Sequence, residues 1–181
     1  HNLHRLERTL RVIDEAMRLY PPFWAIDRVA LDDDEVGGVR IPAGTRVMPY
    51  IYGTHRNPAH WEDAESFDPR RFEPERARAR HPFAFIPFGG GPRICIGNNM
   101  AILQILLIVA GFVRKYDFAL TRPEAVGIQP RMLLRPGGPV VAVTQPHRHL
   151  FDVGLRTHRN AASIGFAAKD QGNRGDRKSH L

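Results

Sequence analysis

The stretch Phe88-Gly89-Gly90-Gly91-Pro92-Arg93-Ile94-Cys95-Ile96-Gly97-Asn98-Asn99-Met100-Ala101 constrains this chain more than any other. Three consecutive glycines and a proline ahead of a cysteine demand a cramped, tightly turned backbone, because glycine tolerates positive φ and proline fixes its own φ. After Gly97 the sequence turns apolar: residues 100 to 113 carry no polar side chain except Gln104. Arg114 and Lys115 close the run, which falls short of the roughly twenty residues a bilayer span requires, so a buried core helix is predicted.

Cys95 therefore falls just ahead of a helix. The dipole and free N–H groups of a helix N-terminus favour a thiolate, and Arg93 adds positive charge close by. As the single cysteine of 181 residues it belongs to no intramolecular disulfide and to no zinc site built on several thiolates. A lone cysteine is otherwise most often a small buried hydrophobe, here one capping a helix. Its surroundings decide between the two.

Leu3, Leu6, Leu10, Ile13, Met17 and Tyr20 recur at intervals of three and four, which predicts an amphipathic helix over 3–20 that Pro21 and Pro22 stop. Runs rich in branched and aromatic residues at 26–31 and 46–52, separated by Gly37-Gly38 and Pro42-Ala43-Gly44, predict strands joined by turns in a small sheet. From Gly53 to Pro92 prolines, arginines and acids are dense and periodicity is weak. A long irregular segment with a turn or two of helix is expected, of the kind that is usually functional. Short apolar runs then alternate with Pro and Gly up to Gln145, predicting short strands. Apolar patterning fades from His147, so a body over 1–146 and a basic, poorly ordered tail over 147–181 are expected.

Phe88, Gly91, Arg93, Cys95 and Gly97, with Ala101 four places on, form a pattern that resembles the haem-thiolate loop of the cytochrome P-450 monooxygenases. Two further stretches are similar to the same family: Glu15-Ala16-Met17-Arg18, its E-x-x-R helix, and Phe67-Asp68-Pro69-Arg70-Arg71-Phe72, its P-x-R-F motif. Order and spacing agree from residue 3 to about residue 145. The resemblance implies the C-terminal portion of the cytochrome P-450 fold, mainly α with small β-sheets (α+β), in which the haem-binding loop is followed by a buried helix. It implies haem b as cofactor, Cys95 as axial ligand to the iron, Phe88 shielding the thiolate, and Arg93 and Arg28 as partners of haem propionates. The glycines, Gly91 and Gly97 included, let the loop approach the macrocycle. Glu15, Arg18 and Arg71 are implied to be a buried structural cluster rather than catalytic groups.

The activity implied for the parent protein is insertion of one O2-derived oxygen atom into an apolar organic substrate. Electrons would come from a donor protein, a flavodoxin-like reductase or a ferredoxin. The family's acid and alcohol pair lies upstream on a long central helix. It has no counterpart here, since none of Thr9, Thr45, Thr54, Thr121, Thr144 or Thr157 follows an Asp or Glu. The fragment alone is thus expected to be inactive, with no catalytic residue apart from the haem ligand. A truncated, non-catalytic haem-binding or interaction module is the alternative.

The net charge of +7 raises nucleic acid as a partner, and its distribution speaks against it. Residues 147 to 181 hold seven Lys and Arg against three Asp, whereas residues 1 to 146 hold nineteen against sixteen acids. The basic residues are scattered among acids rather than set in a stripe with aromatic residues for stacking on bases. Arg76, Arg78, Arg80, His81 and Arg93 gather near the loop, on the side that in the family receives an acidic electron donor. His55, His60 and His81 lack the close paired spacing of a metal site and read as surface or packing residues. The chain opens on His1 without the succession of a signal peptide, so a cytoplasmic protein continued upstream is expected.

Overall fold

Helix α1 spans Glu7–Leu19 in the computed structural model, which describes residues 6–121 and 127–146. Leu3 and the tail expected over 147–181 lie outside the described residues. Ile13 and Met17 are buried as their spacing predicts, but so are the charged Glu15 and Arg18. Tyr20, expected on the apolar face, is exposed at the end of the helix, where its N–H still reaches Ala16 O at 2.8 Å. Pro21 and Pro22 supply no N–H for a further turn.

Four short strands follow: β1 (Arg28–Val29), β2 (Asp34–Val36), β3 (Val39–Ile41) and β4 (Arg46–Val47). β1 pairs antiparallel with β4, and β2 with β3 around Gly37 and Gly38. The strand expected over 46–52 ends early. Pro49 cannot donate to a ladder, and Ile51–Thr54 winds into the short helix α2.

The proline-dense segment is less irregular than its composition predicts, because its prolines start helical turns. A proline stands in the first turn of the 3-10 turns Pro69–Phe72 and Pro82–Ala84 and of helix α3 (Pro74–Ala79). There its missing N–H is not needed and its fixed φ already suits the helix.

Helix α4 spans Asn98–Lys115 with Gly97 as its N-cap. Its Leu106 meets Ile13 and Met17 of α1 in a core to which Leu6, Leu10, Phe85, Phe88, Ile102 and Ile105 add partly buried side chains. The expected buried helix is corrected in one respect. Of α4 only Leu106 is buried, while Leu103, Leu107, Ile108, Phe112 and Val113 are exposed. Among the described residues, α1 and the segment leading into the loop cover one side of α4 and leave the others bare. With 18 residues and a mean hydropathy of 1.2, α4 is long and apolar enough to cross a membrane. One side of it packs on α1 through Leu106. Beyond it run β5 (Tyr116–Leu120), β6 (Ile128–Pro130), β7 (Leu134–Pro136) and β8 (Ala142–Pro146), with β5 antiparallel to β8 and β6 to β7. Leu134 N–H donates to Pro22 O at 2.8 Å and Trp24 Nε1 to Arg131 O at 2.6 Å, which ties these strands back to the segment after α1.

Candidate functional site

The loop before α4 is shaped by its own backbone. Gly89 and Gly91 take φ of 78° and 70°, values that side chains disfavour, and a Cβ on Gly89 would also lie 3.1 Å from Ile26 Cδ1. Pro92 falls within the 3-10 turn Gly91–Arg93, and Ile94 N–H returns to Gly91 O at 3.1 Å. Cys95 N–H then donates to Phe88 O at 3.0 Å and closes the loop. Phe88 is anchored twice, since its ring packs against the Ile13, Met17 and Leu106 core. Past Cys95 the chain enters α4 at once, with Ala101 N–H on Gly97 O at 2.9 Å. The Cys95 thiol is exposed, and so are Ile94, Ile96 and Met100. It is not the buried hydrophobe that a lone cysteine usually is.

Arg28 in β1 and Arg93 in the loop line one surface pocket together with Asp27 and Val29. The acid there is already engaged: Arg46 hydrogen-bonds Asp27 and, with its charge, holds that carboxyl below the usual carboxylate range. Arg28 donates to Asp27 O at 2.8 Å and its charge also acts on that carboxyl, but among the described residues neither Arg28 nor Arg93 forms an ion pair with a carboxylate within 4 Å. Anionic groups suit such a place.

Beneath the loop lies a buried charge cluster. Arg18 Nε and Nη2 grip the two Glu15 oxygens at 2.7 and 2.8 Å, and both side chains are wholly buried. Arg18 also donates to His55 O at 2.9 Å, Ala64 O at 2.7 Å and Ser66 O at 3.2 Å. Glu15 Oε1 accepts Asp68 N–H at 2.8 Å. Arg71 joins at the margin: its Nε lies 3.5 Å from Glu15 Oε1 without a hydrogen bond, while Nη1 and Nη2 donate to Glu62 O and Asp63 O. The structure therefore brings Glu15, Arg18 and Arg71 together, with most of the arginine donors spent on backbone carbonyls.

Three members of this region have no signal in the sequence pattern. His55, read as a surface or packing histidine, is fully buried, and its ring partners Arg18 O and Ile86 N lie 37 and 31 positions away. Burial is the main reason its ring titrates down at about 4, so it is neutral at pH 7. Trp61 is buried under Arg18, whose guanidinium carbon stands 5.0 Å from the ring centre. Arg80 corrects an expectation: it is no free surface charge but stacks over Trp61 at 4.1 Å and Phe72 at 4.9 Å and donates to Arg71 O. Arg76 and Arg78 on α3, and the stacked rings of His60 and His81, are exposed.

A family model for cytochrome P450 matches residues 1–143, and the chain belongs to that family. Cytochrome P450 734A5 of Oryza sativa subsp. japonica is 41% identical over 145 residues, covering 77% of this chain and 27% of that protein. Thromboxane-A synthase of Sus scrofa is 41% identical over 118 residues, covering 65% and 22%. Retinoic acid bound cyanobacterial CYP120A1 superposes with a TM-score of 0.73 at 31% identity, over 77% of this chain and 32% of that one. The fold is thus part of a P450 haem domain, helical with small sheets. The chain spans about a quarter of the length of these curated relatives. Haem is the cofactor of the family, and the residues present fit it: an exposed thiol, exposed apolar side chains beside it, and two arginines on one pocket.

Proposed function

We propose that this chain carries the haem-thiolate end of a monooxygenase that inserts one oxygen atom from O2 into an apolar organic substrate. The observation that carries this reading is the exposed Cys95 thiol, fixed by the Phe88 carbonyl immediately ahead of α4. Cys95 would hold the iron of haem b, with Phe88 anchoring and shielding the loop. Gly91 and Gly97 would let the backbone approach, Ala101 would keep the first turn of α4 slim, and Arg28 and Arg93 would receive the propionates. Haem bound through a thiolate supplies oxygen activation, because thiolate electron density favours O–O cleavage. Glu15, Arg18 and Arg71 serve as structure. Their hydrogen bonds run to one another and to backbone, and Arg71 Nε, which makes none, is buried beside Glu15.

An acidic electron donor, a flavodoxin-like reductase or a ferredoxin, is proposed to meet the face bearing Arg76 and Arg78. A cytoplasmic setting belongs to the same proposal. A second reading, a truncated haem-binding or interaction module without catalysis, is favoured by the uncovered apolar sides of α4.

The test is spectroscopic. Haem is titrated into the purified chain, reduced and exposed to carbon monoxide. A thiolate-type Soret band that disappears in Cys95→His is the expected result, and identical spectra for the two proteins would overturn the assignment. Oxygenated product from the whole protein, with donor and O2, decides against the second reading.

A further inference from the structure

Among the described residues His55 is a fully buried ionisable side chain to which the haem-holding scheme gives no task. Its ring bridges two parts of the chain. Ile86 N–H donates to Nε2 at 2.8 Å, so Nε2 carries no proton; Nδ1, 3.3 Å from Arg18 O, carries the ring proton and donates it. The ring face packs on Phe85 at 5.2 Å, and Phe85 packs on Phe72 at 4.7 Å. Ile86 in turn stands just before the loop. Its carbonyl accepts Gly89 N–H at 2.9 Å, and Phe88 between them accepts Cys95 N–H. A continuous path therefore leads from Arg18 through the His55 ring to Ile86, Phe88 and Cys95.

We propose that His55 is a positioning residue, a neutral strut that sets the cysteine loop against the Glu15–Arg18 cluster and lets it go when protonated. The proposal rests on the reading of Cys95 as the thiolate ligand. A second ring proton would put an N–H at Nε2 against the N–H of Ile86, donor against donor. It would also place a cation among cations. Arg18 faces the ring from α1 and Arg56 from the turn after α2, and both disfavour its charged form. Of the acids on these elements Glu15 pairs with Arg18 at 2.7 Å, Glu65 with Arg56 at 3.1 Å and Glu7 with Arg11 at 3.9 Å, while Asp14, its carboxyl pushed up to about 6 by burial, offers the ring little negative charge near pH 4. The segment at 85–86 offers no charge. Burial adds the largest contribution, and the strut holds until the pH falls to about 4.

Two variants separate the strut from bulk packing. His55→Gln offers an amide oxygen that accepts Ile86 N–H at every pH, and His55→Leu fills space without an acceptor. Amide hydrogen exchange of the full chain, corrected for intrinsic rates, is followed at Ile86 and Cys95 by NMR from pH 7 to pH 3.5. In His55→Leu both amides should exchange at least about tenfold faster at pH 7, whereas His55→Gln should keep wild-type protection there. As the pH falls to about 4 and below, wild type should lose protection at Cys95 while His55→Gln retains it. Wild-type exchange at Cys95 in His55→Leu, or identical pH profiles for wild type and His55→Gln, would overturn the proposal. The carbon monoxide spectrum is recorded alongside. A wild-type chain without the thiolate band overturns the ligand assignment, and the exchange data still decide the strut.

Discussion

Replacing Arg18 with lysine keeps the charge and removes the fork, which isolates what the guanidinium geometry contributes. Arg18 makes five hydrogen bonds, two to the Glu15 carboxylate and three to the carbonyls of His55, Ala64 and Ser66. An ammonium has three donors on one nitrogen, so at least two of these acceptors, which run from the wholly buried Glu15 carboxylate to the partly buried carbonyls of Ala64 and Ser66, lose their partner. Each buried acceptor left unpaired costs about 1–3 kcal/mol, which gives ~2–6 kcal/mol for Arg18→Lys. That is a large part of the roughly 5–15 kcal/mol that holds a domain folded. Arg18→Leu also strands the Glu15 carboxylate and adds the roughly 3–5 kcal/mol of a broken buried pair. Arg71→Ala should be milder, about 1–3 kcal/mol, since its Nε makes no hydrogen bond and the loss is two bonds to carbonyls. Urea unfolding followed by circular dichroism and tryptophan fluorescence reads the series, with Trp61 lying under the Arg18 guanidinium. Midpoints should fall in the order wild type, Arg71→Ala, Arg18→Lys, Arg18→Leu at unchanged slope. If Arg18→Lys unfolds within about 0.5 kcal/mol of wild type, less than one ordinary hydrogen bond, the fork is not what holds the cluster.

Burial pushes the Asp14 carboxyl up to about 6, against the opposing charge of Arg80. The folded chain thus keeps a proton that the unfolded chain releases near 3.8, and stability falls as pH rises between these values. Asp14→Asn should raise the urea midpoint at pH 7 and change it much less at pH 3.5; a lower midpoint at pH 7 contradicts this. The donor face is tested with Arg76→Gln and Arg78→Gln together in the whole protein, leaving Arg80 in place because it stacks on Trp61. Association with an acidic donor should slow and lose part of its salt dependence, exposed charge being screened over about 8 Å at physiological salt; equal rates and slopes would mark both as ordinary surface charge.

Short-range features were legible in the sequence, and features settled by distant contacts were not. Glu15 and Arg18 share a helix face because they stand three apart, and the glycines before Cys95 announce a turned backbone whatever surrounds them. The strand expected at 46–52 failed at Pro49, where a β-rich composition outweighed a residue unable to join a ladder. For α4 the apolar run correctly marked surface that favours burial, but composition is silent on whether the same chain supplies the cover. His55 and Arg80 owe their burial to segments remote in sequence. Phe85 closes on the His55 ring, while Trp61 and Phe72 take up Arg80, and no periodicity encodes those meetings.

The closure of the cysteine loop by main-chain groups alone has a practical consequence. Phe88 O and Gly91 O receive the N–H groups of Cys95 and Ile94, while the side chains of Arg93, Ile94 and Ile96 stand outside that closure and in the open. Where the sulfur sits and what electrical environment it sits in are therefore separately adjustable. Exchanging the side chains at 94 or 96 alters the polarity next to the sulfur while leaving in place the main-chain groups whose hydrogen bonds locate it. On the proposed haem ligation, a redesign aimed at reduction potential can begin at positions 94 and 96, with Arg93 kept for the propionate proposed for it.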